Sequence, residues 1–201
     1  MRWLVLHLRS RYAPEALAAV ATGVVGCWAL WSFFSDARTV GVQMVVMTVL
    51  ILVAALTATL SGPDDELDNT GALPWRPRRA AHLLTALLVV TAPLLVTLAT
   101  GARFGPAVLV IRDAAGLLGL TALSATVLGS ARAWFLPLGW TLVAVLFPQP
   151  ETNLGRVLTW QLQAPDDVAA AGTAVALALG GLVTYTQFGS ARRTPAEAAQ
   201  H

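Results

Sequence analysis

Long apolar runs alternate with short polar breaks along this chain. Six runs stand out, at residues 15–34, 39–60, 80–100, 106–129, 131–147 and 167–188. Most approach the roughly 20 residues that carry a helix across a hydrocarbon core at about 1.5 Å per residue. The pattern predicts an all-α polytopic membrane protein with six transmembrane helices, filling residues 1–201 as a single transmembrane domain. The first run is as long as the others and is followed by a second run, so it reads as a span and not as a cleavable signal peptide. Its entry carries Pro14, which suits a helix start.

The breaks carry as much information as the runs. Residues 1–14 mix Trp3, Leu4, Leu6 and Leu8 with Arg2, His7, Arg9 and Arg11. This segment reads either as an interfacial stretch or as a plain charged leader that fixes orientation. The turn at 35–38 is so short that spans one and two must be antiparallel neighbours. Residues 61–79 form the first sizeable polar connection. Asp64, Asp65 and Glu66 follow Pro63, as in the first turn of a short helix that also holds Asp68, and Gly71 is its expected stop. Residues 148–166 form the second, with a possible amphipathic turn at 154–162 that has Leu154, Val157, Leu158 and Leu162 at helical spacing and Trp160 among them. Residues 189–201 are a short tail.

Within the spans, Pro93 predicts a kink in the third, and Pro137 lies in the fifth and shortest. Gly172, Gly180 and Gly181 mark places in the sixth where a neighbouring helix could come close. Trp28 and Trp31 suit an interfacial belt at the end of span one. The threonines of span two, Thr48, Thr57 and Thr59, read as groups that bond their own backbone or a neighbour.

Arginine placement sets the expected orientation. With the N-terminus inside, the inner ends hold Arg2, Arg9, Arg11, Arg76, Arg78, Arg79, Arg132, Arg192 and Arg193, and the outer ends only Arg38, Arg103 and Arg156. This positive-inside bias predicts cytoplasmic N- and C-termini in a bacterial plasma membrane. Connection 61–79 is then cytoplasmic and 148–166 extracytoplasmic.

Composition narrows the chemistry. The chain is 56% hydrophobic and 12% charged, about half the charge of an ordinary soluble domain. Its net charge of +2 is small, and the arginines suit anionic lipid better than nucleic acid. Every one of the 13 basic residues counted as Lys or Arg is arginine. The lysine of a Walker A loop is therefore missing, and so is Schiff-base chemistry. The single cysteine, Cys27, reads as a small apolar filler within span one. His7, His82 and His201 show no metal-ligand spacing, so no metal site and no catalytic residue is expected.

Arg112 and Asp113 are the charged pair that hydropathy places within a span. Neighbours on a helix do not face each other, so they are not expected to form a simple ion pair. Two readings stand open. In one, residues 113–129 span alone, Arg112 reaches the outer interface and 105–111 lies as an interfacial or re-entrant piece. In the other, the two residues form a polar site on the outer half of a translocation path.

Taken together, these features resemble the permease subunits of type 2 ATP-binding-cassette exporters. The runs R-R-A-A-H-L-L at 78–84, R-D-A-A-G-L-L-G-L at 112–120 and G-S-A-R-A-W-F-L-P-L at 129–138 are similar to small actinobacterial permeases of this kind. The resemblance implies an amphipathic start at 1–11, a coupling helix at 63–71 and a helical outer segment at 148–166. It further implies a separate ATP-binding-cassette ATPase subunit, with ATP and Mg bound there and no cofactor on this chain. Asp64, Asp65, Glu66 and Asp68 would dock in that ATPase, and a second permease copy or paralogue would complete a dimer. The cargo implied is hydrophobic or amphipathic. The alternative is a small six-span scaffold or immunity-type protein without transport. A third reading, an intramembrane enzyme using Arg112 and Asp113, needs a further polar partner at the same depth.

Overall fold

A computed structural model describes residues 13–60, 75–146 and 152–191. Seven α-helices follow in order among them: α1 (Ala13–Phe34), α2 (Val42–Leu56), α3 (Trp75–Val96), α4 (Ala107–Leu128), α5 (Phe135–Leu146), α6 (Asn153–Leu158) and α7 (Val168–Phe188). Short 3-10 turns extend α2 (Thr57–Leu60) and α3 (Thr97–Ala99), precede α5 (Ser130–Arg132) and follow α6 (Trp160–Leu162). Among the described residues the regular structure is all helical apart from one isolated bridge, Thr39 to Arg103.

Among the described residues, five helical stretches are long and apolar enough to cross a membrane: Pro14–Phe34, Val42–Leu60, Trp75–Ala99, Ala107–Leu128 and Val168–Phe188. The fifth expected span, 131–147, is shorter; its apolar helical stretch is Ser130–Leu146. Gly129 takes a positive φ of 83° just before it, so the chain turns sharply there before starting the helix.

α4 is the centre of the bundle and is buried along most of its length, from Leu109 and Val110 through Leu117 and Leu118 to Ala125. α7 packs along it most extensively, and α2 and α3 flank it. α1 lies against α2, as the short turn between them requires. Core apolar residues include Val45, Val49 and Leu52 of α2, Val90 and Leu94 of α3, and Ala170 and Ala174 of α7. Cys27 is half-buried and packs against this core.

The two ends of the bundle are built differently. At one end the turns before α2 and before α4 are stitched together: Val40 N–H donates to the Arg103 carbonyl at 2.9 Å and Arg103 N–H to the Arg38 carbonyl at 2.8 Å. Trp28 Nε1 donates to Thr100 Oγ1 and Trp31 Nε1 to the Ala37 carbonyl on the same face. This is the stitched face. At the other end Tyr185 Oη donates to the Leu60 carbonyl, and Ala191 N–H to the Ala125 carbonyl. The threonines of span two bond their own backbone, Thr48 to Met44 and Thr57 to Ala54. Thr59 also lies 3.2 Å from His82 Nε2.

Of the three glycines expected at a close helix approach, Gly181 alone makes it. Added Cβ atoms on Gly172 and Gly180 would meet nothing within 4 Å, whereas one on Gly181 would collide with the backbone of Gly119. Its partner on α4 is likewise bare, and a Cβ on Gly119 would strike the Leu177 carbonyl and Ala178 Cα. Helical phase explains the selection: only one of the three projects toward α4. α3 runs as α-helix through Pro93 and tightens to 3-10 at Thr97. Segments 1–12, 61–74, 147–151 and 192–201, including the expected coupling stretch at 63–71, the interfacial start and the first residues of the expected outer segment at 148–166, lie outside the described residues.

Candidate functional site: a buried arginine that grips a folded-in segment

The polar centre forms where α4 meets the segment between α5 and α7. α4 is one continuous helix from Ala107, so residues 105–111 do not form a separate piece. Arg112 and Asp113 lie on its second turn and are buried, with 7% and 0% of their surface exposed. They also bond to each other, against expectation: Arg112 Nε donates to Asp113 Oδ1 at 2.9 Å. Adjacent Cβ atoms on a helix diverge, but the long arginine stem folds back far enough for its Nε to meet the shorter carboxylate.

The rest of the guanidinium reaches across to the segment. Arg112 Nη1 donates to the Ala164 carbonyl at 2.9 Å, and Nη2 to the carbonyls of Gln163 at 3.1 Å and Gln161 at 3.4 Å. Of these carbonyls, that of Ala164 also accepts along the chain, from Asp167 N–H at 3.1 Å. A planar fork of N–H donors is suited to collecting several of them at once, which a lysine cannot do in the same geometry. Asp113 compensates the charge, so the centre is neutral as a pair.

The segment is shaped to enter. Thr152 caps α6, its Oγ1 accepting from Gly155 N–H at 3.2 Å. Asp167 caps α7 through Ala170 N–H at 2.8 Å and lies 3.9 Å from Arg156. Trp140 of α5 donates to the Leu158 carbonyl. Between these ties Trp160 and Gln161 are wholly buried. The six-membered ring of Trp160 lies over Gly116, one turn beyond Asp113, where a Cβ would overlap its Cη2. The expected apolar side of this segment is therefore not its buried side. Leu154 and Leu158 are exposed, while Gly155, Thr159, Trp160 and Gln161 face inward. A gap left by Gly116 and a cation seeking carbonyls decide the orientation over the leucine pattern.

Several buried polar atoms at this level make no hydrogen bond among the described residues: Asp113 Oδ2, Trp160 Nε1, both side-chain atoms of Gln161 and, on α5, Thr141 Oγ1. They offer acceptors and donors around a charge-neutral pair, which suits a neutral polar group more than an ion. Among the described residues no group of three or more His, Cys, Asp or Glu is placed to hold a metal ion.

Asp64, Asp65, Glu66 and Asp68 lie outside the described residues. Sequence reasoning missed Gly116, Gln161 and Gly119, and placed Trp160 only within the amphipathic turn of the outer segment. The signal available was the pair of glycines in a largely apolar helix, Gly116 three residues beyond Asp113 and Gly119 three beyond that. No protein-family model, curated protein or solved structure matches this chain.

Proposed function

We propose that the chain is the membrane-spanning permease subunit of an exporter driven by a separate ATP-binding-cassette ATPase. Helix surfaces support the membrane setting. Phe33 and Phe34 are 85% exposed and Val168 84%, and Leu84, Leu88, Leu142, Leu146, Val175 and Leu179 also face outward. Charged Arg112 and Asp113 face inward instead. Apolar surface out and charge in suits hydrocarbon, where water does not compete for exposed leucines.

In this reading Ser130–Leu146 completes six crossings. Its 17 residues reach only about 25 Å as a helix, so it crosses with little tilt or a thinned bilayer. Arg38, Arg103 and Arg156 fall near the stitched face, and Arg76, Arg78, Arg79 and Arg132 near the other. With Arg2, Arg9, Arg11, Arg192 and Arg193 joining the second group, the stitched face is outside and both termini are cytoplasmic.

The observation that carries the exporter reading is the segment between the fifth and sixth crossings, folded into the bundle and held by Arg112. A passive anchor has no need of a charged clamp on a loop at membrane depth. A gated exit does, because the clamp gives the segment a defined closed position. Two copies, or this chain and a paralogue, would line the path along their interface. Asp64, Asp65, Glu66 and Asp68 would meet the ATPase on the cytoplasmic side. The cargo is hydrophobic or amphipathic, its polar portion meeting the neutral centre around Asp113 and Gln161.

Co-purification tests this. Tagged full-length chain, extracted in mild detergent, is expected to bring down an ATP-binding-cassette ATPase. Alanine at Asp64, Asp65, Glu66 and Asp68 together should release that ATPase and leave the chain in the membrane. A clean chain with no nucleotide-binding partner would favour the scaffold reading instead.

A further inference from the structure

We infer that α7 is a lever whose inner arm holds both ends of connection 61–74 and whose outer arm leads directly into the segment gripped by Arg112. It deepens the exporter reading by naming the route of force, and it rests on that reading only for the source of the force. A coupling loop between spans two and three would ordinarily be expected to move those two spans. The contacts instead point to the last span.

The inner arm is tied twice. Tyr185, buried, donates its hydroxyl to the Leu60 carbonyl at 3.0 Å, the last described residue before the connection. Arg79, on the second turn of α3 just beyond the connection, donates from Nη1 to the Thr186 carbonyl at 3.5 Å. Its guanidinium rests against Gly189, where a Cβ would lie 2.8 Å from Cζ and where φ is +72°. An arginine at a helix C-terminus also complements the helix dipole. One turn of α7 thus receives the chain on both sides of 61–74.

The fulcrum is the Gly119–Gly181 contact. With no side chain on either residue, two backbones touch. Side-chain layers absorb small shifts by changing rotamer, but backbone on backbone has no such slack. From Gly181 to Tyr185 the inner arm is about 6 Å long, and from Gly181 to Val168 the outer arm is about 20 Å. A 1 Å displacement at Tyr185 therefore becomes a displacement on the order of 3 Å at Val168. Beyond Val168 the chain reaches Ala164, Gln163 and Gln161, the residues whose carbonyls Arg112 holds. The Ala191-to-Ala125 hydrogen bond sets the resting position at the inner end.

Tyr185 and Arg79 are accordingly positioning residues, and their effect is readable on the isolated chain. The test is hydrogen exchange by mass spectrometry on full-length protein in lipid nanodiscs, for wild type, Tyr185→Phe and Arg79→Gln, and for each combined with Arg112→Lys. Either inner substitution is expected to speed exchange of peptide 152–166 about three-fold, although that peptide lies about 30 Å away along α7, with α1 unchanged. In the Arg112→Lys background the inner substitutions should add little, because the segment is already released. Changes confined to residues near 57–60, 79–82 and 185–191 would overturn the lever, and so would equal acceleration in every helix. If Tyr185→Phe does not fold, Arg79→Gln carries the test. Since no ATPase is present, a failed lever leaves the exporter reading standing, and a missing ATPase leaves the lever result intact.

Discussion

Arg112 donates to the Ala164 carbonyl 2.9 Å away, joining the most buried helix to a residue 52 positions further along the chain. The same guanidinium bonds Asp113 beside it. One side chain therefore neutralises a buried carboxylate and closes the folded-in segment. Arg112→Gln should leave Asp113 without its counter-charge and cost about 3–5 kcal/mol, the usual penalty for breaking a buried pair. Arg112→Lys keeps the charge but loses the fork, and should cost less, about 1–3 kcal/mol. Thermal unfolding in detergent, alongside limited proteolysis within 152–166, measures both. Equal stability for the glutamine variant would contradict the clamp.

Gly116 seats Trp160. Gly116→Ala puts a methyl group where the indole lies, and overpacking of this kind costs about 1–3 kcal/mol. Trp160→Phe alone leaves a gap. The double substitution should recover part of the loss, because the smaller ring makes room for the methyl. A double-mutant cycle on unfolding midpoints measures this, and strict additivity would count against the contact.

The glycines of α7 divide sharply. Gly181→Ala and, on α4, Gly119→Ala should each destabilise by about 1–3 kcal/mol or more, since a backbone must move. Gly172→Ala and Gly180→Ala should be neutral or stabilising by up to about 1 kcal/mol, because open space surrounds them and alanine favours helix. Chemical unfolding of the four single variants separates these outcomes. A ranking that does not follow the helix contact would show that α4 and α7 are packed differently.

The caps give a smaller, independent check. Thr152→Ala removes the acceptor for Gly155 N–H and should cost about 1 kcal/mol, felt in α6 alone. Hydrogen exchange at α6 amides should quicken, and exchange in α2 and α3 should stay as it was.

How much of this could be read from the residues varies with the kind of signal. The apolar runs gave the long helices closely, because a span needs little beyond length and hydropathy. Span five fell short, since the 3-10 turn Ser130–Arg132 takes up its first residues and the α-helix starts only at Phe135. Arg112 and Asp113 stood out by charge, but their mutual bond did not, because helical spacing speaks to Cβ directions and not to the reach of an arginine. The inward turn of Trp160 and Gln161 was hidden by Leu154 and Leu158, whose spacing pointed the other way. Gly181 was legible only as one of three equal candidates until the phase of α7 against α4 singled it out.

Membrane orientation is the claim on which the exporter account stands, and cysteine labelling in intact cells tests it most directly. In a Cys27→Ala background, Leu154→Cys, exposed on α6, should react with a membrane-impermeant maleimide added from outside. Arg76→Cys, exposed at the start of α3, should react only after lysis. Labelling of both from outside, or of Arg76→Cys alone, would contradict the six-crossing topology with the Arg112-held segment outside and connection 61–74 within the cytoplasm.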